Sequence, residues 1–255
     1  MYATLFRRTA GILLLPLAAA CDDAYGNDSP GQNLPTFTAI TASGDLSAKL
    51  VELRSRLGEP NNGVTAGQQP SGRREVNWDA VGAANTNTNA FPGDGFRGRG
   101  LMMTTPGTGL RVSDNDFNDV NPTYDAAFED FSPAKTFMAI GSNAINLTFR
   151  VAGDTTQVAT VRAFGVILSD VDVANTSFIE AYDATNRLIG KVAAPIRSDA
   201  KGHSLVSIAF TDPIIARIRI IAGLGSLGAA KDVSDGSTVD LVVADDFFFS
   251  EPVKP

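Results

Sequence analysis

From Arg74 onward, apolar residues recur at every second position in short runs, and clusters of Gly, Asn, Asp and Pro divide the runs. In 144–151, Ile145, Leu147, Phe149 and Val151 alternate with Asn146, Thr148 and Arg150. In 214–222, Ala216, Ile218 and Ile220 alternate with Arg217 and Arg219. Period two is the strand period, with one face for a core and one for water. Similar runs cover 74–79, 99–104, 108–113, 136–140, 158–168, 176–182, 187–193, 203–210 and 238–249. No helical pattern separates them, which sets aside a parallel βαβ sheet. The expectation is all-β: an antiparallel β-sandwich of jelly-roll type over 73–252.

One segment departs from this period. Leu46, Leu50, Leu53 and Leu57 are spaced four, three and four apart, which predicts a short amphipathic helix over 44–58. Ser43 is the expected cap and Gly58 the expected stop, and a loop fills the rest of 43–72. The helix can pack on the main domain or bind a partner. Phe247-Phe248-Phe249 makes a strand apolar on both faces, and this helix is a ready cover for its outer side.

The N-terminus reads as an address. Arg7 and Arg8 precede the uncharged apolar run 9–20, which ends in Ala18, Ala19 and Ala20. That is the layout of a secretory signal peptide over 1–20. The run is short of the roughly 20 residues that a spanning helix needs. Residues 21–42 are rich in Asp, Asn, Gly, Pro, Ser and Thr, as in a flexible linker. Cys21, the single cysteine of the chain, stands at the cut and resembles the lipidated cysteine of bacterial lipoproteins. The resemblance implies a lipid anchor on Cys21 as the sole membrane contact. Ordinary cleavage after Ala20, giving a free secreted protein, is the alternative.

Composition removes several functions. One Cys and one His leave no disulfide framework, no thiolate zinc site and no multi-histidine metal centre. The net charge of −7, without basic blocks, argues against nucleic acid as a partner. Gly223 to Gly228 spells GxGxxG, yet no helix pattern follows it, so it reads as a glycine-rich loop. His203 beside Ser204, without a GxSxG elbow, makes no hydrolase triad.

The phrases SGRREVNWDAV (71–81), RGLMMTTPGTGLRVS (99–113), FGVILSDVD (164–172), FIEAYDATNRLIG (178–190) and VVADDFFFSEP (242–252) resemble a group of uncharacterised exported bacterial proteins. Where that group has Trp-Asp-Gly, this chain has Ala80. More distantly, 178–188 and the terminal Ala-Asp-Asp-Phe resemble galactose-binding-like and carbohydrate-binding jelly rolls. That resemblance implies a structural calcium held by Asp79 and Asp246, with Asp245 nearby.

Two further acidic sets suit calcium, which takes several oxygen ligands. Asp170 and Asp172 close the 158–168 run, and alternation places both on one side. Asp114, Asp116, Asn118 and Asp125 fall at positions 1, 3, 5 and 12 of a calcium-loop pattern, though Asp119 stands where the pattern wants Gly. A plain acidic loop is the competing reading there. Trp78, Tyr124 and Tyr182, with Phe131, are candidates for a ring platform under a sugar, against ordinary core burial. The function expected is a non-catalytic binding or structural module of the envelope, glycan-directed and calcium-bearing. The alternatives are a glycoside hydrolase with paired carboxylates, Glu180 among them, or a purely structural surface lipoprotein.

Overall fold

A computed structural model describes residues 33–255. The expected signal peptide, Cys21 and most of the expected linker lie outside the described residues. Thirteen strands run through the rest: β1 (Thr38–Ser43), β2 (Arg73–Val76), β3 (Leu101–Thr104), β4 (Gly109–Ser113), β5 (Thr136–Ile140), β6 (Ala144–Val151), β7 (Asp154–Ala159), β8 (Ala163–Ser169), β9 (Phe178–Tyr182), β10 (Leu188–Ala193), β11 (His203–Ala209), β12 (Arg217–Ile221) and β13 (Val243–Ser250). Two helices join them, α1 (Ser47–Leu57) and the single turn α2 (Tyr124–Ala127). The seven-stranded sheet runs β1-β11-β8-β13-β5-β4, with β2 also on β13. The six-stranded sheet runs β10-β9-β12-β6-β3, with β7 on β6. Every strand ladder is antiparallel, and the two sheets pack face to face as a β-sandwich.

The alternation in the sequence is what fills the space between the sheets. Ile145, Leu147 and Phe149 of β6 and Ile218 and Ile220 of β12 point inward and are fully buried. They meet Phe137, Phe164, Phe247 and Phe249 of the seven-stranded sheet in one continuous core. Phe248 points the other way. It joins Leu46, Leu50, Leu53 and Leu57, with Ile40, Ile167 and Leu205, in a second core under α1. The Leu stripe thus covers the outer face of the seven-stranded sheet. Each buried leucine contributes about 1.5–3 kcal/mol. The approach is close: a Cβ at Gly165 of β8 would stand 2.6 Å from a methyl of Leu53.

Three local expectations are corrected. Residues 158–168 are not one strand, because the chain passes from β7 in one sheet to β8 in the other through 160–162, with no Gly or Pro to mark the crossing. The end of the expected linker is β1, paired along its length with β11; Ile40 is its one fully buried side chain, so no period betrayed it. Ser43 belongs to β1 and does not cap α1; the Asp45 carboxylate accepts from the Ser47 N–H instead, at 3.0 Å.

The loop 59–72 is tied down by a buried ion pair. Arg74, wholly buried in β2, donates to both carboxylate oxygens of Glu251, at 2.8 and 2.7 Å. Its remaining N–H groups reach the carbonyls of Gly63, Thr65 and Gly67. Glu251 also accepts from Asn62 and from the Gln69 N–H. Removing one partner of such a pair strands a buried charge, at a cost of about 3–5 kcal/mol. Arg74→Ala is therefore expected to lose about that much stability in denaturant unfolding, and Arg74→Met with Glu251→Leu much less. Equal losses in the two proteins would contradict the account.

Candidate metal centre

Strands β8 and β13 run antiparallel, with Ser169 opposite Val243, so the end of one meets the approach to the other. Asp170 and Asp172 follow β8; Asp240 precedes β13; Asp232 lies in the loop between β12 and β13. Carboxylate oxygens of Asp170, Asp172 and Asp232 all lie within 4.8 Å of one another. Asp170, Asp232 and Asp240 are fully buried. Alternation is not what brings the first two together: Asp170 has φ +70°, so the strand ends there and the chain turns.

The four acids divide into holders and open ligands. Asp232 accepts from the N–H groups of Ser234 and Leu241, both at 2.7 Å. Asp240 accepts from the Asp172 N–H and the Thr176 hydroxyl. Both oxygens of Asp170, and Oδ1 of Asp172, are buried with no hydrogen-bond partner. Burial first, then the carboxylates of Asp172, Asp232, Asp240 and Asp199, pushes the Asp170 carboxyl up to about 8. Burial first, then the carboxylates of Asp232, Asp240 and Asp199, push Asp172 to about 6, and burial raises Asp240. A buried carboxylate facing other carboxylates needs a proton or a cation. The donors are all oxygen, the set for a hard divalent cation rather than zinc or copper. The cluster can hold a metal ion. An open depression of about 250 Å³, lined by Asp172, Val173, Ser198, Val233 and Ser234, adjoins it from the solvent side.

Asp79, Asp245 and Asp246 do come close, because β2 and β13 pair from Val76 and Phe247 onward. They make a different device. Against β8, Ala244 faces Leu168 and Phe247 faces Val166, so Asp245 and Asp246 together occupy a bulge with one extra residue. The Trp78 indole N–H donates to the Asp245 carbonyl at 2.8 Å, and the Ser132 hydroxyl to the Asp246 carboxylate at 2.8 Å. The Phe131 N–H donates to Oδ2 of Asp245. Oδ1 of Asp245 and Oδ1 of Asp79 are buried without partners. Burial and the Asp246 carboxylate drive the Asp245 carboxyl well above its ordinary value, and burial raises Asp246. A proton between these two carboxyls satisfies the open oxygen with no metal. The oxygens of Asp79, Asp245 and Asp246 do not form the convergent set seen at Asp170.

The 114–125 loop gathers no ligand set. Asp114 accepts from Asn87, Asp119 pairs with Arg111, and Asn118 and Asp125 are exposed. Asp116 is half-buried, and burial raises it to about 6. Trp78 offers no sugar platform: it is 1% exposed and stacked on Phe137, ring centres 3.9 Å apart. Tyr124 is fully buried as well; its hydroxyl donates to the Ala230 carbonyl at 2.7 Å and fixes the segment leading into Asp232. Tyr182 is half-buried on the outer face of the six-stranded sheet, where the Arg217 guanidinium covers its ring at 3.6 Å. His203 faces the Glu129 carbonyl. Asp232 and Asp240 were not singled out from sequence. The one signal for Asp232 was Asp-Val-Ser before Asp-Gly, the composition of the tight turn it caps.

Asp245 keeps its proton in the fold at pH values where the unfolded chain has lost it. Its contribution is therefore present at acid pH and lost as pH rises toward the folded value. Asp245→Asn imitates the protonated form. In chelator, the variant and the parent should melt together near pH 4. The variant should be ahead by at least about 1.4 kcal/mol at pH 8, the equivalent of one pKa unit. A difference independent of pH would remove the shared proton.

No protein-family model matches the chain, and no curated protein does. Among solved structures, the enzymatically active domain of tailspike protein 4 from bacteriophage CBA120 overlays 66% of this chain at 11% identity, with a TM-score of 0.30. The match spans 21% of that protein, about a fifth of its length, and is too shallow to carry an activity across.

Proposed function

We propose that this chain is an exported, non-catalytic β-sandwich module of the cell envelope, glycan-directed, with one calcium ion completing the Asp170 cluster. The observation that carries the calcium reading is Asp170: a fully buried carboxylate with both oxygens open and three more aspartates around it. Asp170 and Asp172 supply the open oxygens, and Asp232 and Asp240 hold the loops that place them. The ion supplies the positive charge that this pocket lacks, so its role is to close the junction of β8, β13 and the 222–242 loop.

The non-catalytic part is supported by where the titrating acids are. Asp170 and Asp245, the acids raised furthest, are fully buried and can meet no polymer, and Asp172, raised to about 6 beside the open depression, is taken up in the cluster. Glu180, the acid named for hydrolysis, accepts from the Tyr182 hydroxyl and lies 3.7 and 3.8 Å from Lys191 and Arg219. The other carboxylate on the strands of that sheet, Asp154 at the start of β7, is taken up by Thr156, whose N–H and hydroxyl donate to it at 3.0 and 2.6 Å. Export and anchoring rest on Arg7-Arg8, the apolar run and Cys21. No helix among the described residues is long and apolar enough to cross a membrane. Cys21→Ser is expected to move the protein from the membrane fraction to the soluble one; retention in the membrane would refute lipid attachment.

Calcium at a hundred times its Kd adds about 2.7 kcal/mol, on the order of 5–10 °C for a domain of this size. The melting midpoint should rise by that amount between chelator and calcium, more at pH 8 than at pH 6, because the ion competes with protons for Asp170. Asp170→Asn should fold, melt at or above the chelated parent, and show no response to calcium. A parent that melts identically in calcium and chelator would remove the metal.

A further inference from the structure

The register of the six-stranded sheet sets its outward side chains in rows. Lys191, Glu180, Arg219, Asn146 and Thr104 lie across β10, β9, β12, β6 and β3. Leu188, Tyr182, Arg217, Thr148 and Met102 form the next row. Arg150 extends β6 beyond them. This face therefore carries Lys191, Arg217, Arg219 and Arg150 against Glu180 and, at the start of β7, Asp154, on a chain of net charge −7. The local sign is the reverse of the whole.

Arg217 donates to Asn186 and Asn146, and Arg150 to the carbonyls of Thr155 and Phe149, while Lys191 and Arg219 are held yet not spent. Glu180 is the fixed centre: the Tyr182 hydroxyl donates to it at 2.8 Å, and Lys191 and Arg219 stand at 3.7 and 3.8 Å, too far for short ion pairs. The side chains of Lys191 and Arg219 remain 50% and 43% exposed. Both rings on this face are already covered by charge. The Lys191 ammonium lies 3.5 Å from the centre of the Phe178 ring, and the Arg217 guanidinium 3.6 Å from that of Tyr182. A neutral sugar would need an open ring face, and a nucleic-acid base would too. What this surface offers instead is N–H donors in fixed positions, flanked by the hydroxyl and amide groups of Thr104, Thr148 and Asn146.

We propose that the outer face of the six-stranded sheet is a docking surface for a carboxylated polysaccharide. The charge complementarity selects an anion, and Arg donors match planar carboxylates. The flatness and width select an extended polymer: Lys191 and Arg219 sit two strands apart, about 10 Å, so one chain laid across the strands meets both. The neighbouring amides and hydroxyls suit the sugar hydroxyls. A bilayer would want apolar wedges, and the large apolar side chains of these rows, Leu188 and Met102, stand at the two edges. The proposal rests on the binding-module reading and names its ligand class, but it does not use the calcium cluster.

The test uses the purified full chain, polygalacturonate as probe, its methyl ester as the neutral control, and phosphatidylglycerol vesicles and single-stranded DNA as rival anions. Chelator is present throughout, below the chelated melting point, so a missing calcium response leaves the outcome untouched. Polygalacturonate should bind and weaken with salt, and the ester should not bind. Lys191→Gln with Arg219→Gln should weaken binding by about tenfold or more with little change in the melting midpoint, and Arg219→Lys should retain part of it. No binding to polygalacturonate, equal binding of the ester, undiminished binding by the double variant, or preference for vesicles or DNA would each overturn the proposal.

Discussion

Strand β13 has no side in water. All eight residues from Val243 to Ser250 are buried. One edge pairs with β8; the other is shared between β5 at Ala244 and β2 from Phe247 to Ser250. Phe247 and Phe249 enter the sandwich while Phe248 enters the layer under α1, so this strand joins the two cores. The bulge at Asp245 and Asp246 marks the handover from β5 to β2. There, polar backbone and side chains must be satisfied deep inside, and Trp78, Phe131 and Ser132 do so. The end of the strand is fixed by Arg74 on Glu251 and its beginning by the aspartate cluster beside Val243. One end closes with an internal cation, a guanidinium. The other presents carboxylates alone.

That asymmetry is the reason to place a metal at the second end. At Glu251 the negative charge meets a bidentate partner and two further donors. At Asp245 a shared proton suffices, because two carboxyls face each other. At Asp170 the carboxylates of Asp172, Asp232, Asp240 and Asp199 crowd the site, and its own oxygens have no donor. Protonation can relieve this at low pH, but an ion relieves all of the repulsion at once. Tyr124, through the carbonyl of Ala230, and Asn121 beside it hold the loop that delivers Asp232.

Period two was the legible part of the fold. The runs at 136–140 and 144–151 coincide with β5 and β6, and the Leu stripe with α1. The apolar triplet at 247–249 announced a strand buried on both faces, and the helix covers it as its composition required. What could not be read was set by tertiary partners. β1 has few large apolar residues and exists because β11 offers an edge. The β7–β8 crossing has no turn residues. In the site, the pair Asp170 and Asp172 was visible because it is local. Asp232 and Asp240, about sixty and seventy residues on, join it through the pairing of β8 with β13, which no spacing encodes. Of the two readings open for Trp78 and Tyr124, a ring platform or core burial, the structure has burial: their polar tips satisfy backbone carbonyls inside.

If one hard cation completes the Asp170 cluster, calorimetric titration of the chelator-stripped protein with calcium, in two buffers of different ionisation heat, will show it. One ion should bind per chain, with proton release at pH 7 because Asp170 gives up its proton, and Asp170→Asn should give no binding heat. Absence of binding, or binding that Asp170→Asn leaves intact, would contradict it.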